Sequence, residues 1–461
     1  MTELAEAQAL FRAGRAAEAE ARCHALLARD LGDAEAWRLL SALALRQGDL
    51  LFGEAALKRA LAFRPQSAEA WHELGLLQQT QQRVADAETS FRRALELAPN
   101  FVAAWINFGS FKCGLERFDE AIPLYDRALA LAPNHAAAHW NRALALLTLG
   151  DYARAWQDYD WRWRIPELVQ SAEVKVLERR WRGESVAGKT VLLHSEQGVG
   201  DTIQLARYAP LVAKQGARVV CAVQPALISL LAQLPHVERV MSVADPLPPF
   251  DLQASLPDLP GLFGTALATI PDAQGYLRPD PSRAAHWRQR LGPERRRKVG
   301  VIWAGNPRHR EDRYRSIALS ALEPLLVRDD VAWFSLQVGE RAKELAGSGP
   351  AARVVDLAAD LSDFSETAAA MATLDLLISV DTAAAHLAGA LGRPTWLLIA
   401  RQADWRWMRE REDSPWYASL RLFRQQQQGD WGPAIARVIS ALDREVASSA
   451  GPAASAAGAR Q

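Results

Sequence analysis

From the first residues to about 168, apolar and polar positions alternate with a helical period, and the pattern returns every 34 residues. Prolines recur at Pro65, Pro99 and Pro133, and tryptophans at Trp37, Trp71 and Trp105. With 33–66, 67–100, 101–134 and 135–168 as units, small residues fill two columns. One holds Ser41, Gly75, Gly109 and Ala143; the other holds Gly53, Ala87, Ala121 and Ala155. Ala60, Ala94 and Ala128 form a third column, and the large residues Leu57, Phe91, Tyr125 and Tyr159 a fourth. Small columns let two helices approach within a unit, large ones fill the gap to the next unit, and the proline ends the second helix. The pattern predicts an α-helical solenoid over 1–168, with 1–32 as a degenerate first repeat. The last unit departs from it: the proline slips to Pro166 and Arg162 stands in the alanine column. Its ending, YDWRWR, is aromatic and basic and suits a seam against the next domain.

Residues 169–189 carry neither the repeat period nor a strand signal and are expected to be a connector. From about 190 the pattern changes to short continuous apolar runs separated by helical ones, as in parallel sheets covered on both faces. TVLLHSE, ARVVCAVQ, ERVMSV and FDLQASL come first. After a helix around 281–292 the pattern restarts with KVGVIWAGN, VAWFSLQVG, RVVDLAA, DLLISVD and RPTWLLIA. Two such runs exceed one sheet. Two facing Rossmann-like domains, 190–292 and 293–446, are expected, with a cleft between them. The whole chain is thus α + α/β. The end, 447–461, is rich in small residues and reads as a disordered tail.

Composition narrows the function. The 54 basic and 54 acidic residues cancel, which argues against a nucleic-acid partner. Three separated cysteines exclude a disulfide framework and a cysteine zinc site, and fit a reducing compartment. The start lacks a secretory signal, and no apolar run reaches the roughly 18 residues of a membrane span. A cytoplasmic protein without membrane insertion is expected.

Ligands of such sheets sit beyond the carboxyl ends of the strands, and four loops there carry chemistry. The first, Glu196-Gln197-Gly198-Val199-Gly200-Asp201, is a glycine turn that presents a carboxylate. Asp201 suits a general base, or alternatively caps its helix. The second follows VGVIW and contains Asn306 with Arg308, Arg310, Arg313 and Arg315. It is placed for a diphosphate, or is a solvated charge run. In the third, Asp381 closes a strand and Thr382 is placed to cap the next helix, leaving its first amides to an anion. Ala383, Ala384 and Ala385 keep that start free of bulk, and His386 lies one turn on, facing the ligand or simply the core. The fourth holds Gln337 at a strand end, within reach of a nucleotide base. No His/Asp/Glu spacing suits a metal and no nucleophile elbow occurs, so metal enzymes and serine hydrolases are disfavoured.

The repeat signature W-x2-[LF]-G…A-x3-[FY]-x2-A…P resembles the tetratricopeptide repeat, which implies a concave groove for a peptide or a partner. SEQGVGDTIQLARY, VGVIWAGN…RS and SVDTAAAHLAGALGRP resemble the two halves of heptosyltransferase-like (family 9) glycosyltransferases. That resemblance implies a GT-B fold, a base at Asp201 and pyrophosphate binding at Asp381, Thr382 and His386. Ala383 stands where the family pattern usually has glycine, so ADP-heptose is not implied. The join to repeats is similar to bacterial repeat-containing glycosyltransferases that modify proteins, soluble flagellin glycosyltransferases among them. It is also similar in architecture to nucleocytoplasmic protein O-linked N-acetylglucosamine transferases. The expectation is an inverting, metal-independent transferase without a cofactor. It moves a sugar from a nucleotide sugar to a protein Ser or Thr hydroxyl, with the repeats binding the acceptor. A lipid-linked or polysaccharide acceptor, or a scaffold with an inactive transferase-like domain, are the alternatives.

Overall fold

The computed structural model describes residues 2–171, 178–309, 312–346 and 349–449. Contacts divide the chain into two compact units between Ala145 and Leu146.

The first unit stacks antiparallel helix pairs: α1 (Glu3–Arg12), α2 (Ala16–Arg29), α3 (Ala34–Gln47), α4 (Leu50–Phe63), α5 (Ala68–Thr80), α6 (Val84–Leu97), α7 (Val102–Gly114) and α8 (Phe118–Leu131). Helix α9 (Ala136–Leu149) follows. Asp33, Asp49 and Ser67 cap α3, α4 and α5 by accepting backbone amides. The tryptophan column has a definite task. Each indole N–H donates to a carbonyl six residues earlier: Trp37 to Leu31 (2.9 Å), Trp71 to Pro65 (3.0 Å) and Trp105 to Pro99 (2.9 Å). His139 takes over in the fourth repeat, its Nε2 lying 2.8 Å from the Pro133 carbonyl oxygen. Each bond ties an inter-repeat turn to the helix that follows. The glycine column meets the large column of its own unit. A methyl on Gly75 would lie 3.1 Å from the Phe91 ring, and one on Gly109 2.7 Å from Tyr125. The large residues therefore fill space inside each unit as well as between units, where Phe91 stacks on Phe108 with centroids 5.5 Å apart.

The compact repeat unit ends before the expected limit at 168. Helix α10 (Tyr152–Tyr159) and the 3-10 turn Asp160–Arg164 give their aromatic side chains to the second unit. Trp416 Nε1 donates to Tyr152 Oη at 2.9 Å, and Trp156 Nε1 donates to the Thr265 carbonyl at 2.7 Å. The YDWRWR seam is thus built into the α/β unit. Of the expected connector, residues 172–177 lie outside the described residues.

The second unit contains two parallel sheets. Strands β1 (Thr190–His194), β2 (Arg218–Val223), β3 (Val237–Ser242) and β4 (Leu252–Ser255) form one, in the order β3-β2-β1-β4. The other holds β5 (Arg297–Ile302), β6 (Val331–Ser335), β7 (Val355–Asp356), β8 (Leu376–Val380), β9 (Thr395–Ile399) and β10 (Leu420–Arg424), ordered β10-β9-β8-β5-β6-β7. Central strand β8 is buried along its whole length, as its continuous apolar run requires. Edge strand β10 was not legible, because two half-buried arginines interrupt the apolar run in Leu420-Arg421-Leu422-Phe423-Arg424.

Further helices complete this unit: α11 (Val199–Leu205), α12 (Pro281–Leu291), α13 (Phe364–Met371), α14 (Ala383–Ala390) and α15 (Gly432–Ser449). The expected boundary at 292 assigns α12 to the first sheet, yet it packs on α13 of the second. Trp287 Nε1 donates to Glu366 Oε2 at 2.8 Å, and Arg283 reaches Asp363 at 3.1 Å. Helix α15 closes the core of the six-stranded sheet with Ile435, Val438 and Leu442. It runs to Ser449, into the stretch expected as a tail; residues 450–461 lie outside the described residues. Among the described residues no helix is long and apolar enough to cross a membrane.

Candidate active site

A cavity of about 1070 Å³ lies within the second unit, at the carboxyl ends of β1 and of β5, β6, β8 and β9. This is where open α/β sheets place ligands.

The four-stranded sheet contributes the glycine turn between β1 and α11. Gln197, Gly198, Gly200 and Asp201 line the cavity. Glu196 does not: it is buried and grips Arg162, which donates from Nε at 2.8 Å and from Nη2 at 2.7 Å. Glu196, expected with the rest of the turn at the site, is therefore not a site residue, since its carboxylate is spent on an ion pair away from the cavity. Gly200 answers to a close contact between helices. A methyl there would fall 2.8 Å from His386 Cδ2 and 3.3 Å from Ala383 Cα. The absent side chain lets α11 and α14 touch.

Asp201 stands at the third position of α11, with Gly198 as N-cap. It is not the capping residue. Arg406 Nη2 donates to its Oδ1 at 2.5 Å. Burial pushes the Asp201 carboxyl above the usual range, against the pull of Arg406 and with a push from Asp404.

The six-stranded sheet supplies the opposite wall. Asn306, His309, Tyr314 and Arg315 come from the loop after β5. Asn306 Oδ1 accepts the Arg308 amide at 3.0 Å, which shapes the turn. Arg315 crosses Gly305 so closely that a methyl there would lie 2.9 Å from Nη2. Arg315 also donates from Nε to Asp312 at 3.3 Å. The rest of the basic run behaves differently. Arg308 is exposed and outside the wall, and Arg313 lies 4.5 Å over the Tyr314 ring. Arg310 lies outside the described residues.

Gln337 touches the cavity, but its amide is used internally. Oε1 accepts the amides of Trp303 (3.1 Å) and Ala304 (2.8 Å), and Nε2 donates to the carbonyls of Ala304 and Val338, both at 3.1 Å. Both N–H groups are occupied, so Gln337 braces the loop after β5 and does not read a base edge.

Asp381, Thr382, Ala383, Ala384 and His386 gather at the start of α14. Thr382 occupies the N-cap position, but its side chain makes no capping bond, contrary to expectation. The amides of Ala383 and Ala384 are left without a capping side chain. Burial, then the neighbouring Asp404, raise the Asp381 carboxyl to about 6. His386 is buried: Nδ1 lies 3.0 Å from Tyr417 Oη, and the ring stacks on Trp407 with centroids 5.3 Å apart. Burial, with Arg406 and Arg207 nearby, keeps it neutral by lowering its pKa well below the usual value.

The sequence reading missed Arg406, Asp404 and Trp407, from the loop after β9. Arg406 is buried, donates to Asp404 at 2.9 Å as well as to Asp201, and reaches Gln204. The available signal was RQADWRW directly after the buried strand RPTWLLIA, a position that open sheets reserve for ligands. The wall therefore sets Asp201, Asp381 and Asp404 close to Arg315 and Arg406, with Glu340, Arg341 and Asp363 also on its lining. Among the described residues no group of three or more His, Cys, Asp or Glu is arranged to hold a metal ion.

Protein-family models match both parts of the chain. Tetratricopeptide repeat models match residues 4–51 and 114–160, and 68–101. The glycosyltransferase family 9 (heptosyltransferase) model matches 333–427. That span includes the start of α14 and Arg406 but not Asp201. Protein FlbA of Caulobacter vibrioides is 32% identical over 331 residues, covering 65% of this chain and 54% of its own. The chain thus spans about half the length of the curated relative it matches. Among solved structures, MamA is 20% identical over 34% of this chain and 91% of its own, with a TM-score of 0.31. YrrB, described as a TPR protein with an unusual peptide-binding site, is 19% identical over 36% and 85%, with a TM-score of 0.30. The family models thus match tetratricopeptide repeats and a glycosyltransferase family 9 segment in one chain.

Proposed function

We propose that this protein transfers a sugar from a nucleotide sugar to a hydroxyl of a protein acceptor, Ser or Thr, which the repeats recruit. One observation carries the reading. A single cavity gathers Asp201 from the first sheet with Arg315 and the start of α14 from the second. The acceptor oxygen attacks the anomeric carbon as the bond from that carbon to the phosphate oxygen breaks. Asp201 takes the acceptor proton; Arg406, on its Oδ1, fixes the direction of the carboxylate. Arg315 and the amides of Ala383 and Ala384 stabilise the charge that develops on the nucleotide leaving group. One displacement without a protein nucleophile inverts the sugar carbon. The protein acceptor, flagellin being one candidate, is supported by the repeats and by the similarity to repeat-containing protein glycosyltransferases.

The test is single-turnover transfer with Asp201→Asn. The amide keeps the side-chain shape, and Arg406 retains Asp404 and Gln204. Donor affinity and melting should stay near the parent while transfer falls at least about a hundredfold. Transfer within a few-fold of the parent removes Asp201 as the base. A parent that binds donor and transfers to no acceptor favours the scaffold.

A further inference from the structure

The aromatic-basic ending of the last repeat, Asp160–Arg164, is not used by the proposed chemistry, yet it holds a fully buried cation. The Arg162 side chain is 2% exposed. Its guanidinium grips both oxygens of Glu196. Nη2 also donates to Asp258 Oδ1 at 2.5 Å and to Ser255 Oγ at 3.0 Å, and Nη1 donates to the Tyr159 carbonyl at 3.2 Å. Its planar face lies 4.5 Å over the Tyr159 ring and 5.0 Å over Trp163. Trp163 Nε1 and Arg180 Nη2 add donors to Asp258 at 3.2 and 3.3 Å.

Three elements meet at this one group: the segment after the repeats, the end of β4 and the first residue of the glycine turn. Glu196 opens the turn that Asp201 closes five residues later. The turn has a second tether, since Gln224 Nε2 donates to the Gln197 carbonyl at 3.0 Å. Gln197 Nε2 also approaches Tyr159 Oη at 3.5 Å. A bidentate, stacked guanidinium sets direction as well as distance, which an ammonium does not.

We infer that Arg162 is a positioning residue for the transferase site: by locking Glu196 it fixes the glycine turn and, through it, the placement of Asp201 in the cavity. The segment just past the repeats is then part of the active-site machinery. The catalytic consequence rests on the transferase reading; the mechanical one does not.

The experiment compares full-length parent with Arg162→Lys, which keeps the charge facing Glu196 and Asp258 but loses the fork. Hydrogen exchange is followed in peptides spanning 192–205 and 376–390, with steady-state transfer alongside. The expected result is at least tenfold faster exchange in 192–205 and none in 376–390. With it, kcat falls at least tenfold while KM for the nucleotide sugar stays within about twofold, because the donor loops belong to the other sheet. A merely structural role would lower protection throughout and move kcat and KM together. Glu196→Gln is the second variant, should the lysine protein not fold. It keeps size and leaves Arg162 on Asp258, and should shift the same peptide and kcat in the same direction by less. Unchanged protection of 192–205 in both variants overturns the inference, as does lost protection with unchanged kcat. If the parent transfers no sugar, the transferase reading fails on that arm, and the exchange arm still decides whether Arg162 locks the turn.

Discussion

Replacing Gly200 by alanine tests what the glycine turn is for. The added methyl would sit 2.8 Å from His386 Cδ2, and reaching ordinary contact at 3.4 Å requires a retreat of 3.4 − 2.8 = 0.6 Å. His386 has no room for it. Its Nδ1 is held at Tyr417, its ring stacks on Trp407, and it is buried. Nor does the backbone of α14 yield, since Ala383 Cα is 3.3 Å from the same methyl. Overpacking of this kind costs about 1–3 kcal/mol. Alanine recovers about 0.5–1 kcal/mol from helix propensity at this position inside α11. The net loss is about 0–2.5 kcal/mol, centred near 1, which lowers melting of the α/β unit by a few degrees. Donor affinity should fall with it, because α11 and α14 separate where the cavity wall is formed. Gly198→Ala is the control. Its φ is −64° and its methyl would meet only the Asp201 carboxylate, at 3.2 Å. Its loss should therefore be that of an N-cap glycine replaced by alanine, about 1 kcal/mol or less, with no displacement of α14. Thermal melting and donor calorimetry on both variants decide. If Gly200→Ala melts at or above the parent, the glycine is not there for helix contact.

The remaining expectations concern charge and truncation. Asp381 is protonated up to about pH 6 in the folded protein, against about 3.9 unfolded. The folded state therefore holds the extra proton between those values, and stability falls as pH rises through them. Asp381→Asn should remove that slope in denaturant titrations at pH 4 to 7, and an unchanged slope would assign it to another group. Arg406→Leu strips the buried partner of Asp201 and Asp404 and should cost about 3–5 kcal/mol at neutral pH. Protonation relieves unpaired carboxylates, so the loss should shrink toward pH 5; equal losses at pH 5 and 8 would contradict this. A chain beginning at Leu146 should fold and bind the nucleotide sugar but lose the protein acceptor in a pull-down. One beginning at 170 should be insoluble, because it lacks Tyr152, Trp156 and Arg162; a soluble, donor-binding product would show that the seam is dispensable.

The sequence alone determined whatever repeats or runs locally. The 34-residue period specified the helix pairs, because each repeat buries the same small and large columns against its neighbours. Continuous apolar runs marked the covered strands, and the rule that ligands sit past their carboxyl ends pointed to Asp201, Arg315 and the start of α14. Only the tertiary structure decided how each polar group is spent. Glu196 and Gln337 look like site residues in the sequence, but Arg162 consumes the first and the loop after β5 the second. Arg406 and Asp201 are 205 positions apart and meet at 2.5 Å. Trp156 lies within the expected repeat span, yet its indole donates to the Thr265 carbonyl, 109 positions away. Periodicity records which face of an element is buried. The partner of a buried charge is set by the crossing of distant elements, on which the local pattern places no constraint.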